Sequence, residues 1–190
     1  MALFAAFLDA CVLVPVAPCD TVLRMADQGA FRPLWSQKVL DEAQRALERI
    51  HSEVDPNRFL SRFRSMNEAF DDALVTGWET LTAGIKLPDP DDTHVVAAAL
   101  VGRADVIVTE NAKDFPDDVL VPLGLKAVRL DEFLLDQFDL SPRAACRIIN
   151  EQVAAMKRPP VEPAQLLDRL SRSGAPVFAQ KVRDEMELQS

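Results

Sequence analysis

The sequence is poor in the residues that several common kinds of site require. It contains only two histidines and three cysteines among 190 residues. The cysteines form no CxxC pair and no zinc-ligand spacing, so we expect reduced, partly buried thiols. Two histidines are too few for a metal centre built from histidine. The glycine patterns GxGxxG and GxxxxGK[ST] are also missing, which argues against a Rossmann nucleotide site or a P-loop.

Long hydrophobic runs are missing as well. The apolar stretch from Met1 to Leu8 is too short to span a bilayer, and Asp9 ends it. It lacks a basic beginning, so it is a poor signal peptide. We therefore interpret this stretch as the first strand of a cytoplasmic protein with no membrane segment. A hydrophobic content of 48% fits one globular domain, with room for a small appendage.

Basic residues are outnumbered by acidic ones. The chain has 21 Lys and Arg against 30 Asp and Glu, which gives a net charge of −9. A protein that coats nucleic acid needs a broad basic surface, so that class is disfavoured. An enzyme acting on nucleic acid remains compatible, because a pocket of acids binds divalent cations, and these attract phosphate. The acidic excess also suits a basic protein partner.

The continuous apolar run at residues 4–8 predicts a strand buried on both faces, and residues 105–109, apolar at their three central positions, predict a second buried strand. Shorter strands are predicted at 31–35, 73–78 and 126–130. Helical spacing or capping residues predict helices between them, at 20–29, 36–50, 55–70, 91–103 and 131–138. Strands that alternate with helices predict an α/β fold with a central parallel sheet.

The pattern changes after residue 140. Helices are predicted at about 141–157, 163–170 and 176–186, and no strand is predicted there. We therefore divide the chain into an α/β domain, residues 1–140, and a helical C-terminal extension, residues 141–190.

Polar side chains follow both of the buried strands. Asp9 comes directly after the first strand, and Thr109, Asn111 and Asp114 come at or after the end of the second. Because the carboxyl ends of parallel strands meet at one edge of a sheet, we expect these groups to face one crevice. The competing explanation for Asp9 is a turn or the cap of a following helix, and for Asp114 it is a turn.

Two further acids are predicted on helices that could reach the same crevice. Glu42 falls at the edge of the apolar face of its helix, whereas Asp41 points into water. Asp92 shares a face with Val96, and a carboxylate on a packed face needs a partner such as a metal ion. His94 is expected at the surface, on another side of that helix. Helix capping is the competing explanation for Asp92 and its neighbours.

These carboxylates supply hard oxygen ligands, which favour magnesium or manganese. Around them the sequence resembles the PIN-domain family, most closely the VapC-type ribonuclease toxins of bacterial toxin–antitoxin systems. The resemblance covers about residues 3–135, and four segments carry it: residues 8–10, 35–42, 88–99 and 105–116. A helical tail after residue 140 is similar to an extension in some longer members.

The resemblance implies a PIN-like three-layer α/β/α fold and an Mg²⁺- or Mn²⁺-dependent endoribonuclease. It implies an RNA substrate, a cognate antitoxin partner and, because the family often pairs, a homodimer. The implied catalytic and metal-binding residues are Asp9, Glu42, Asp92 and Asp114. Thr109, Asn111 and Lys113 are the implied contacts to water or substrate. An amide stands at position 111, where an acid is also found in the family, which leaves the number of metal ions open.

Two other functions fit parts of the same pattern. The acidic cleft could belong to a catalytically silent module that holds a basic partner segment, since an arginine side chain suits paired carboxylates. A phosphatase with Asp9 as nucleophile is the other alternative. That class usually has a second aspartate two residues later, where this chain has Cys11.

Overall fold

The computed structural model describes residues 4–157 and 159–189. Five strands are present in that part of the chain: β1 (Ala5–Leu8), β2 (Arg32–Ser36), β3 (Leu74–Val75), β4 (Val106–Val108) and β5 (Ala127–Val128). The α-helices are α1 (Ala10–Leu13), α2 (Val16–Asp27), α3 (Gln37–Ile50), α4 (Pro56–Ala69), α5 (Thr93–Gly102), α6 (Asp117–Leu120), α7 (Leu130–Leu140), α8 (Pro142–Ala155), α9 (Pro163–Arg172) and α10 (Pro176–Gln189).

These elements form two compact units. The sheet unit contains residues 4–14 and 31–128. The helical unit contains residues 15–30 together with the described residues from 129 to 189. No helix within the described ranges combines the length and the apolar character needed to cross a bilayer.

The sheet unit is built on five parallel strands in the order β3-β2-β1-β4-β5. Every residue of β1 and β4 is buried, as their continuous apolar sequences predict. The predicted α/β class with a central parallel sheet is therefore confirmed. The edge strands β3 and β5 are shorter than predicted, with two hydrogen-bonded residues each.

Local sequence explains where the main helices of the sheet unit begin. The Ser36 hydroxyl accepts a hydrogen bond from the Val39 amide at 3.3 Å and caps α3. Asp55 caps α4, and Pro56 follows at the first helical position. Both starts are as predicted. The helix α5 is preceded by a single 3₁₀ turn, Pro90–Asp92, and packs against the four strands β1 to β4.

The helical unit joins α2 to the four helices at the end of the chain. The buried Gln152 of α8 donates to the Ala17 carbonyl at 3.0 Å and accepts from the Thr21 hydroxyl at 2.7 Å. Phe138 and Phe178 meet edge to face, with ring centroids 6.5 Å apart. The predicted helical character after residue 140 is confirmed, whereas the domain boundary at that residue stays a prediction.

Candidate functional site

The register of the two central strands places two functional side chains next to each other. Leu8 of β1 is paired with Val108 of β4, and the Asp9 amide donates to the Val108 carbonyl at 3.1 Å. The residues that follow, Asp9 and Thr109, therefore leave neighbouring strands at the same edge of the sheet. This is the carboxyl edge, where α/β proteins build their sites.

Asp9 is held by a set of short hydrogen bonds. Its carboxylate is buried, and Oδ1 accepts from the Ala10 amide at 2.7 Å. Oδ2 accepts from the Thr109 hydroxyl at 2.7 Å. The same hydroxyl oxygen accepts from the Asn111 amide at 3.1 Å. Thr109, predicted as a contact for water or substrate, thus has its own proton committed to orienting Asp9.

Cys11 is a site neighbour that the sequence analysis did not identify. Its Sγ lies 3.3 Å from Asp9 Oδ2 and accepts from the Glu110 amide at 3.2 Å. Burial and the Asp9 charge raise the pKa of this thiol to about 12, so it is protonated and donates to Asp9. Its position two residues after Asp9 was the only signal in the sequence. The three cysteines are free thiols, as predicted.

The negative charges of three other carboxylates act on Asp92. Its pKa is raised from 3.8 to about 6, first by burial and then by the charges of Asp9, Asp89 and Asp114. The charge of His94 acts in the opposite direction. Asp9 and Asp114 are far apart from Asp92 in sequence, and both lie near enough in the fold to act on its charge.

Glu42 and His94 form a pair at the side of this cluster. The Glu42 Oε1 atom lies 3.1 Å from His94 Nε2. The prediction that His94 lies at the surface is wrong, because its side chain is 2% exposed. Every residue from His94 to Ala99 is buried, so α5 has no exposed face there. Glu42 itself is 30% exposed, at the edge of the buried face of α3 as predicted.

The remaining predicted residues occupy the turn after β4. Asp114 is half-buried, whereas Asn111 and Lys113 are exposed. Phe115 is buried next to them and fixes the turn in the core. Their roles as contacts to water or substrate stay predictions.

The donor chemistry of the cluster fits a hard divalent cation. Asp9, Asp92 and Asp114 carry carboxylate oxygens, and the pKa of Asp92 is raised by burial and also by neighbouring negative charge, which a bound cation would relieve. Within residues 4–157 and 159–189, no three acidic, histidine or cysteine side chains form a closed ligand set. Magnesium is compatible with that arrangement, because it keeps several waters and takes only one or two protein carboxylates.

Comparisons with known proteins agree with this architecture. A family model described as PIN domain matches residues 5–113, and one described as VapC50 C-terminal domain matches residues 130–184. The protein named "Putative ribonuclease VapC50" of Mycobacterium tuberculosis is 50% identical over 92 residues, 48% of this chain and 54% of that protein. The chain thus spans about half the length of this curated relative.

No solved structure matches the chain. The family model for the PIN domain covers more than half of the 190 residues, and the parallel sheet with its surrounding helices is the fold that the resemblance implies. The chain therefore belongs to the PIN-domain family, with a C-terminal region of the VapC50 kind.

Proposed function

We propose that this protein is a metal-dependent endoribonuclease of the VapC type. The observation that supports the proposal is that Asp9, held at the carboxyl edge of the sheet by Thr109, acts electrostatically on Asp92 before the start of α5. The family match and the name of the relative support ribonuclease chemistry in particular. Mg²⁺ or Mn²⁺ is the proposed cofactor.

Each residue of the site has a role that its contacts suggest. Asp9, Asp92 and Asp114 would hold the cation, one or two of them directly and the rest through its bound waters, and Glu42 would complete the site from α3. When bound, the cation would supply an activated water and stabilise the charge on the phosphodiester and its leaving oxygen. Thr109 keeps the Asp9 carboxylate in one orientation.

Exposed polar side chains near the site are the proposed contacts to RNA. Asn111 and Lys113 extend from the turn after β4. On α3, Arg45 and Arg49 line the same open cavity of about 540 Å³ as Glu42. These cations would neutralise phosphates locally on a chain whose net charge is −9.

The first prediction tests the cluster itself. We expect Asp9→Asn and Asp92→Asn each to lower Mn²⁺-dependent RNA cleavage by roughly a hundredfold or more, because a metal centre contributes several kcal/mol to such reactions. Cleavage is measured on a mixed RNA substrate with Mn²⁺ and with EDTA. Circular dichroism checks that both variants are folded.

Two neighbouring acids serve as matched controls. Asp41→Asn and Asp91→Asn change exposed carboxylates directly beside Glu42 and Asp92. Both variants should cleave like the unmodified protein. Wild-type cleavage by folded Asp9→Asn or Asp92→Asn protein would refute the assignment, and equal losses in the control variants would reduce it to a general charge effect.

One observation favours the catalytically silent binding module as a second candidate. The described carboxylates do not form a closed set of metal ligands, and paired carboxylates also suit an arginine from a partner chain. Calorimetry with Mn²⁺, combined with the cleavage assay, separates the two functions. Silence in both experiments favours the binding module.

The proposed partners follow from the same family assignment. An antitoxin protein is the proposed regulator, and its basic segment would enter the acidic cleft. A homodimer and a cytoplasmic location stay predictions. Co-expression with the adjacent reading frame, followed by size-exclusion chromatography, tests the antitoxin partner and the homodimer.

A further inference from the structure

His94 is a buried polar residue that the proposed chemistry does not yet use. It lies in the first turn of α5, two residues after Asp92, and is 2% exposed. The Trp78 ring lies beside it, with centroids 5.8 Å apart and planes inclined by 49°. A polar ring is buried at this position at a free-energy penalty unless its nitrogens have partners.

The two ring nitrogens have different surroundings. Nε2 lies 3.1 Å from the carboxylate oxygen Oε1 of Glu42. Nδ1 is buried and has no hydrogen-bond partner among the described residues. A proton on Nδ1 alone would leave a buried N–H without an acceptor and would turn a lone pair toward the carboxylate. The surroundings therefore favour the tautomer in which Nε2–H donates to Glu42.

A hydrogen bond between Nε2 of His94 and Oε1 of Glu42, which lie 3.1 Å apart, would restrain the Glu42 side chain. A glutamate on a helix edge samples several rotamers, and fixing it in one has an entropic penalty. The buried imidazole would fix Oε1 of Glu42, whose side chain is 30% exposed. The second carboxylate oxygen, Oε2, would then be the one that meets a ligand or a water molecule.

His94 also couples two elements of the site. It lies on α5, which begins just after Asp92, and it contacts Glu42 of α3. A displacement of α3 relative to α5 would therefore break the contact between His94 and Glu42.

We propose that His94 is a positioning residue that holds Glu42 in the orientation required by the centre of Asp9, Asp92 and Asp114. The inference rests on the proposed metal-dependent function and deepens it. His94 would not bind the metal ion itself and would act by orienting the metal-binding carboxylate of Glu42. Groups with such roles typically change metal affinity or activity by about 10- to 100-fold when they are removed.

The test compares a variant that keeps the donor with one that removes it. His94→Gln carries an amide N–H close to the position of Nε2, whereas His94→Phe keeps a ring of similar size without any donor. We expect His94→Phe to weaken Mn²⁺ binding, measured by calorimetry, by about 10- to 100-fold, with a parallel loss of cleavage. His94→Gln should recover most of both. His51→Phe, at the other and exposed histidine, should change neither.

A second variant background distinguishes positioning from general structural support. In a Glu42→Gln protein the proposed function of His94 is already lost, so adding His94→Phe should have little further effect on Mn²⁺ affinity. An equal loss in both backgrounds, or unchanged affinity in His94→Phe alone, would overturn the inference. Thermal unfolding of each variant shows whether it is folded at the assay temperature.

Nitrogen-15 NMR of the unmodified, metal-free protein gives an independent readout that needs no variant. We expect the spectrum of His94 to show a protonated Nε2 and a bare Nδ1. The opposite tautomer would overturn the inference even if His94→Phe folds poorly. If the unmodified protein neither binds Mn²⁺ nor cleaves RNA, the proposed function has failed, and an Nε2–H tautomer would still establish the hydrogen bond to Glu42.

Discussion

At the scale of single residues, burial and then the charges of neighbouring carboxylates disfavour the ionisation of Asp92. Its pKa of about 6 in the folded protein lies above the ordinary value of 3.8. Between these two pH values the folded protein holds a proton on Asp92 that the unfolded chain has released. Ionised Asp92 therefore destabilises the metal-free fold, and the effect grows as pH rises through this interval.

Replacing Asp92 should thus stabilise the metal-free protein. We expect Asp92→Asn to unfold at a higher urea concentration than the unmodified protein at pH 7.5 in EDTA. The difference should shrink as pH falls from about 6 toward 3.8, because the unmodified side chain then becomes neutral as well. Asp91→Asn, at the exposed neighbour, is the control.

Adding Mn²⁺ should reverse this order. A cation that binds the folded state alone stabilises it, and the unmodified protein would bind it more tightly than Asp92→Asn. A metal-free difference that is constant from pH 4 to pH 7.5 would show that the pKa of Asp92 is raised neither by burial nor by neighbouring charges.

The sequence was sufficient to predict that Asp9 lies at the carboxyl edge of the sheet, because Asp9 directly follows a continuous apolar strand. It was not sufficient for His94. The helical spacing around Asp92 indicated one packed face, yet every residue of α5 from His94 to Ala99 is buried. The His94 ring is buried against Glu42 and Trp78, which lie in other parts of the chain. The spacing of residues within α5 cannot predict such contacts.

At the scale of elements, the C-terminal end of α5 packs unusually closely against the sheet. A Cβ on Gly102 would lie 2.8 Å from Val75 Cγ2 and 2.9 Å from Leu34 Cδ1. These methyl groups belong to β3 and β2, and both side chains are buried. Glycine at this position is therefore what allows α5 to approach the two strands.

We expect Gly102→Ala to destabilise the fold by about 1–3 kcal/mol, because buried methyl groups must move to admit the new one. Gly84→Ala is the matched control, since a Cβ there meets nothing within 4 Å. Urea unfolding at fixed pH measures both variants. Equal stability of the two would mean that the sheet accommodates the extra methyl group without strain.

The starts of helices that have a capping residue were predicted more accurately than the short elements. Ser36 and Asp55 are capping residues with a local chemical reason, and their helices begin as expected. The four-residue helix α1 and the two-residue strand β3 were not predicted as such. Elements this short contain too few residues to show a periodic pattern of apolar side chains. Their conformation is set by the neighbours that they pair with or pack against.

At the scale of the whole molecule, the parallel sheet was predictable and the membership of α2 was not. Continuous apolar strands alternating with helices leave few topologies open. The helix α2 lies near the start of the chain, yet it packs against α8 and α9 and shares buried hydrogen bonds with Gln152. Such long-range contacts cannot be predicted from local composition. The boundary after residue 140 was therefore placed where strands alternating with helices give way to helices alone.

The final prediction tests that boundary. A chain that ends at Leu140 would lack α8, α9 and α10, and the buried Thr21 of α2 would lose its partner Gln152. It would also expose Phe138, which loses its contact with Phe178. Uncovered apolar surface and an unpaired buried hydroxyl both disfavour folding.

We therefore expect the chain of residues 1–140 to be poorly soluble, to bind the dye ANS and to unfold without a cooperative transition. Co-expression with residues 141–190 as a separate chain should restore solubility, because the missing face of α2 is then covered again. That rescue separates loss of packing from damage to the sheet unit. A soluble, cooperatively unfolding chain of residues 1–140 would instead support an autonomous domain ending at Leu140, and would show that the contacts of α2 with α8 and α9 contribute little to folding.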